Sequence, residues 1–190
     1  MAEVDLVIRG GLVCDGTGSE PYQADIAISG DRIVEIGQVT ARGKDEIDAT
    51  GRIVTPGFID LHTHYDGQAI WSERLAPSSQ HGVTTVILGN CGVGFAPCRE
   101  ADRERLIGVM EGVEDIPEVV MAQGLPWDWE TFPDYLDALD RRKRDIDVAA
   151  YVPHSAVRVY VMGERGAARE TATPADLEKM KALIVNGMEA

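Results

Sequence analysis

The pattern of apolar and polar positions changes character near residue 56. Before it, apolar residues alternate with polar ones or come in short runs. Val4–Ile8 is β-rich and stops at Gly10-Gly11, while Asp25–Ser29 and Arg32–Ile36 alternate. A period of two predicts strands with one buried face. Gly30-Asp31 stands between the last two runs and is of hairpin-turn type. Glu46–Asp48 and Arg52–Val54 flank a further turn at residues 49–51. Residues 1–55 are therefore expected to form a small antiparallel β unit. It has too few strands to make a sandwich core alone and should pack on something else.

Beyond Pro56 the runs are more apolar. Phe58–Leu61 and Val83–Leu88 read as strands buried on both faces, as in a parallel α/β sheet. Ile146–Val152 is a third candidate. Between them, Ser78–His81 and Arg99–Met110 read as helical, and residues 112–126 as irregular and acidic. Phe132, Tyr135, Leu136 and Leu139 recur at i, i+3, i+4, i+7 and predict a helix. That helix closes on Arg141-Arg142-Lys143-Arg144, where cations suit a helix C-terminus. Thr173, Pro174 and Asp176 have the spacing of a capping box, and Leu177, Met180, Leu183, Ile184 and Met188 then line one helical face.

Strand–helix alternation is the α/β pattern. Three strands fall short of the eight units and about 250 residues of a (β/α)₈ barrel. The chain is thus expected to be the N-terminal part of a longer protein. Residues 1–55 would be part of a small β domain. Residues 56–190 would be the first β/α units of an incomplete TIM-type barrel, with an insertion at about 92–145.

Composition narrows the partners. There are 32 acidic against 18 basic residues, a net charge of −14. That argues against nucleic acid, whose phosphates need a basic surface. Residues 106–140 hold nine Asp or Glu and no Lys or Arg, and are expected to be a solvated face. No apolar run approaches the ~20 residues of a membrane span. Met1–Asp5 lacks the basic start and apolar core of a signal peptide. Three cysteines at irregular spacing are not a disulfide framework. A cytoplasmic protein is the expectation.

The candidate chemistry begins at His62-Thr63-His64. Residues two apart on a strand share a face, so both imidazoles would stand at the strand's C-terminal end, and imidazole is a common metal ligand. Leu88-Gly89-Asn90-Cys91-Gly92 follows the next strand. Cys91 would stand at the same end of the sheet, where α/β folds bind ligands, and a thiolate suits zinc. Asp66 and Asn90 lie beside these residues. His154, Ser155 and Arg158 follow the third strand and are candidates for supporting the ligands or lining a substrate cleft, with Ser155 also a candidate cap for a short helix to Met162. His154 is as readily a loop-stabilising residue. Cys14 and Cys98 have no such context and are expected to be structural, and Trp127 and Trp129 to be core in preference to walls of a ligand cleft.

These stretches resemble the amidohydrolase superfamily, and within it the N-acyl-D-amino-acid deacylases (D-aminoacylases). The resemblance rests on residues 56–66, 82–92, 125–130, 154–158 and 161–166. It implies a (β/α)₈ barrel beside a small β domain built from both chain ends. His62, His64 and Cys91 match the family's metal ligands, with zinc, as one or two ions, the implied cofactor. The implied reaction is hydrolysis of an N-acyl-D-amino acid, a small molecule, to a carboxylate and a D-amino acid. Two further histidine ligands and a general-base aspartate would lie beyond residue 190. The 190-residue chain alone is therefore expected to be inactive and to hold metal weakly. A cyclic amidase (hydantoinase- or dihydroorotase-like) is the alternative, with a carboxylated lysine in place of the cysteine. A non-catalytic truncated product is a third reading.

Overall fold

The computed structural model describes residues 3–114 and 116–190. Met1, Ala2 and Asp115, which belong to the leader and acidic-segment readings above, lie outside the described residues. The chain divides into two compact units, Met1–Gly57 and Phe58–Ala190.

The first unit is one five-stranded sheet. β1 (Glu3–Val13) is central, β2 (Tyr22–Ser29) pairs with it antiparallel, and β3 (Arg32–Gly37) continues from β2. The β2–β3 turn is the expected hairpin, with Gly30 at φ 59°. Two expectations need correction. β4 (Arg42–Asp48) and β5 (Ile53–Val54) both run parallel to β1, so the unit is mixed rather than antiparallel. The turn at 49–51 is present, with Arg52 N–H donating to Ala49 O at 2.9 Å, but it carries the chain along β1 instead of folding it back. β1 also does not stop at Gly10-Gly11. It passes through a bulge, in which Gly10 N–H donates to Asp25 Oδ1 at 2.8 Å. A bulge absorbs an extra residue without ending a strand.

The second unit is built on a three-stranded parallel sheet, β6 (Phe58–Asp60), β7 (Val83–Leu88) and β8 (Asp147–Ala150), in that order. Between β6 and β7 lie α1 (Gln68–Trp71) and a 3₁₀ turn at Ser78–His81; α1 carries no clear sequence signal. β7 carries the core, since Val86 and Leu88 are fully buried against Leu75, Phe95, Met121 and Tyr135. Each such side chain contributes about 1.5–3 kcal/mol by leaving water. The reading of Phe58–Leu61 as buried on both faces is not met. β6 is an edge strand, with Phe58 59 % and Ile59 61 % exposed.

The long connection from β7 to β8 is more helical than expected. Arg103–Glu114 forms α2, preceded by a 3₁₀ turn at Glu100–Asp102, and Glu118–Gly124 forms α3. Pro117 separates them, because proline cannot continue a helix from the preceding residue. The irregular reading of 112–126 is thus corrected. Its Gly and Pro punctuation hid two helices that pack through Met110 and Met121. α4 (Phe132–Asp140) starts at a Thr131–Asp134 capping box. At its end the basic run binds backbone. Arg142 donates to Ala138 O and to Ile70 O, and Arg144 to Leu139 O. Trp129 is core, its indole N–H donating to Phe95 O at 2.8 Å.

α5 (His154–Met162), α6 (Glu164–Ala167) and α7 (Pro174–Glu189) complete the unit. The Thr173–Asp176 capping box forms as expected. The apolar face of α7 is only partly used: Met180 is buried and Leu183 packs beside it, but Leu177, Ile184 and Met188 are exposed. Helical spacing reports a face and not what covers it. No helix among the described residues is long and apolar enough to cross a membrane.

Candidate metal centre

β6 ends at Asp60, so the two histidines sit just past the strand rather than on it. Asp60 Oδ1 accepts from His62 N–H at 3.1 Å and shapes that bend. Thr63, between them, turns inward. Its N–H and hydroxyl both donate to Ile87 O of β7, at 3.4 and 2.9 Å. Asn90 adds a clamp from the other side, its amide donating to Ile87 O at 2.7 Å and Thr63 O at 3.2 Å. The ends of β6 and β7 are thereby tied together, and His62 and His64 are left facing outward with ring centroids 5.5 Å apart. Burial, and next the neighbouring His62, hold the His64 imidazole below its ordinary pKa, which favours the neutral form that binds metal.

Cys91 reaches the histidines because the backbone after β7 folds into left-handed conformations. Gly89 has φ 79°, Cys91 φ 53° and Gly92 φ 72°. A non-glycine residue in that region is uncommon, and such strain concentrates at functional sites. Cys91 Sγ lies 3.4 Å from His62 Nε2 and 3.4 Å from His64 Nε2, and the three donor atoms fall within 4.8 Å of one another. Zn–S near 2.3 Å and Zn–N near 2.05 Å at a tetrahedral angle place sulfur and nitrogen about 3.6 Å apart. The donor set and its spacing therefore fit a zinc-sized ion bound by two imidazoles and a thiolate.

Asp66 sits behind this triad. It is 2 % exposed, and Oδ1 accepts from Gly89 N–H at 2.9 Å. Burial pushes its carboxyl up to about 7. Tyr135 OH donates to Asp66 O at 3.1 Å and ties the segment to α4. Asp66 thus positions the cysteine loop from below. Asp66→Ala leaves the buried Gly89 N–H without its acceptor, and should lower stability by about 1–3 kcal/mol, read as a shift of the urea midpoint. An unchanged midpoint would show that the loop holds itself.

Residues 45–190 match the amidohydrolase family. The chain belongs to that family. The N-acyl-D-aspartate deacylase of Alcaligenes xylosoxydans xylosoxydans is 35 % identical over 192 residues, covering 100 % of this chain and 35 % of the relative. The D-aminoacylase of the same organism is 33 % identical over 185 residues, covering 97 % and 35 %. A crystal structure of D-aminoacylase superposes with a TM-score of 0.79 at 33 % identity over 98 % of this chain and 36 % of that one. N-acyl-D-glutamate deacylase from Bordetella bronchiseptica, solved with zinc and a phosphonate inhibitor, superposes with a TM-score of 0.73 at 31 % identity over 100 % and 37 %. This amidohydrolase chain spans about a third of the length of the relatives it matches.

The remaining candidates fall into two groups. Asn90 and Asp66 hold the loop that carries Cys91. His154, Ser155 and Arg158 belong to α5 and line a cavity of about 870 Å³ that opens beside Cys91. Ser155 is not the helix cap expected from sequence: Pro153 is the N-cap residue, and the Ser155 hydroxyl donates to Gly92 O at 2.5 Å, closing the cysteine loop. Thr63 and Tyr135 are working parts that carry no motif, because their partners are backbone carbonyls brought close only by folding. The cysteines differ in environment. Cys98 is buried, and burial, with Asp102 next, pushes its thiol up to about 12, whereas Cys91 is exposed. Iodoacetamide should therefore label Cys91 in the folded chain and leave Cys98 unmodified, as read by peptide mass mapping. Equal labelling of both would contradict this burial.

Proposed function

We propose that this chain supplies the first three ligands, His62, His64 and Cys91, of the metal centre of an N-acyl-D-amino-acid deacylase, and that its three parallel strands are the first of a (β/α)₈ barrel. The observation that carries the reading is the convergence of two imidazoles and a thiol at metal-bonding separation on adjacent parallel strand ends. The thiol at that position favours this reading over a cyclic amidase built on a bridging lysine. The deacylase relatives support the substrate class.

When bound there, zinc supplies Lewis acidity, polarising an acyl carbonyl and making water nucleophilic near neutral pH. The chain's own residues do the positioning. Thr63 and Asn90 lock the two strand ends, Asp66 fixes the cysteine loop through Gly89, and Ser155 closes it through Gly92. We assign the general base, which takes a proton from water and returns it to the leaving amine, to the part of the relatives' length that this chain does not span.

The test is a zinc titration of the chain and its Cys91→Ala variant against a chromophoric chelator. The reading expects one tightest site per chain that Cys91→Ala weakens by at least about tenfold, since even residues behind a metal's ligands are worth 10–100-fold. Unchanged zinc affinity in that variant would refute it and favour the cyclic-amidase alternative.

A further inference from the structure

The cavity beside Cys91 carries an electrostatic feature at odds with the rest of the chain. The chain has a net charge of −14, yet three arginines, Arg105, Arg158 and Arg169, line this one cavity. Arg105 is spoken for, with Nη1 2.7 Å from Asp102 Oδ1. The one carboxylate among the described lining residues, Glu170, is engaged by Arg165 at 3.1 Å. Arg158 donates to the backbone carbonyl of Glu170, which carries no net charge, and forms no ion pair among the described residues. Arg169 likewise pairs with no carboxylate among the described residues, and it is held at φ 60°. Two guanidinium charges therefore face a cavity without a carboxylate counterion among the described residues. A guanidinium fork matches a carboxylate in a bidentate geometry that a neutral group cannot satisfy.

We infer that this cavity is a carboxylate-binding subsite, in which Arg158 with Arg169 holds the side-chain carboxylate of a dianionic N-acyl-amino acid. The substrate class is then an N-acyl derivative of an acidic amino acid rather than of an apolar one. Cys91 and His154 share the lining, so a group held by Arg158 extends from the metal centre. The assignment rests on the deacylase reading for its substrate, but the subsite is measurable without metal.

The experiment is a calorimetric or NMR titration of the metal-free chain with N-acetyl-D-glutamate and, separately, with N-acetyl-D-leucine. The expected result is tighter binding of the dianion by at least about tenfold, lost in Arg158→Gln and reduced in Arg169→Gln. Equal binding of the two ligands, or no binding of the dianion, overturns the subsite. So does full retention of dianion affinity in a folded Arg158→Gln. Because Arg158 also holds the Glu170 carbonyl, that variant needs a matching thermal melt. If it fails to fold, Arg169→Gln decides, and unchanged affinity there overturns the proposal. His62→Ala separates the two readings. Loss of zinc with dianion binding intact is expected. Zinc binding unaffected by His62→Ala would sink the metal-centre reading and leave the subsite standing.

Discussion

Replacing His62 by alanine lowers zinc affinity by at least about 100-fold, the upper end of what losing a residue merely behind a ligand costs. Removing a direct donor leaves two, too few to displace the hydration of a zinc ion, which in catalytic sites holds three protein ligands and an open position. The alanine should fold normally, because His62 is exposed and its side chain supports no core. Its backbone N–H keeps the bond to Asp60 Oδ1. The measurement is competition with a chromophoric chelator, alongside a thermal melt without metal. The melt should not move, while the zinc-induced rise in melting temperature should vanish. A variant that keeps its zinc affinity would exclude His62 as a ligand.

The second large effect is at Gly89. A Cβ built there lies 2.4 Å from Tyr151 O, and the φ of 79° is one that alanine adopts at a cost. The left-handed conformation alone costs about 1–2 kcal/mol and the overpacking roughly 1–3 more, against under about 1 kcal/mol returned by restricting the unfolded chain. Gly89→Ala should thus destabilise by about 2–4 kcal/mol. Gly18 is the control: its φ is 86° but nothing lies within 4 Å of an added Cβ, so Gly18→Ala carries the conformational cost only. Urea denaturation of both variants separates the terms. Because Tyr151 follows β8 and Gly89 follows β7, the clash also shifts Cys91 away from the histidines, and zinc affinity should fall with stability. Equal destabilisation of the two variants would show that the β8 backbone yields to the added methyl.

The origin of Gly89's importance shows what a sequence does and does not carry. The glycine could be read as permitting close backbone approach, but the atom it approaches is 62 positions away and carries no mark. The same holds for Asp66. Its neighbour His64 drew attention as a ligand, while its burial depends on α4 and the β7 end folding over it. The Arg158 and Arg169 side chains sit eleven residues apart with no pattern linking them, and only the fold turns them toward one cavity.

Local signals were legible where local physics decides. The Gly30 hairpin, the Thr173–Asp176 capping box and the apolar β7 all depend on neighbours a few residues away, and all are present. Failures occurred where burial or pairing is non-local. Phe58–Leu61 has the apolarity of a buried strand but lies at a sheet edge. The face of α7 is amphipathic but half exposed. β4 was visible as a strand, yet its parallel pairing with β1 was not, since alternation carries no strand direction.

By itself, then, the sequence determined most of the strands, the capped helices α4 and α7, the His-x-His and cysteine loop as candidate donor groups, and the family. The tertiary structure alone decided that the three donors stand 3.4 Å from sulfur to each nitrogen, that Asp66 and Ser155 hold the loop between them, and that two arginines with no ion-pair partner among the described residues face the adjoining cavity. The physical reason is range. Propensity, capping and turn chemistry act over a few residues, whereas coordination and charge compensation depend on distances between segments that only the packed sheet brings together.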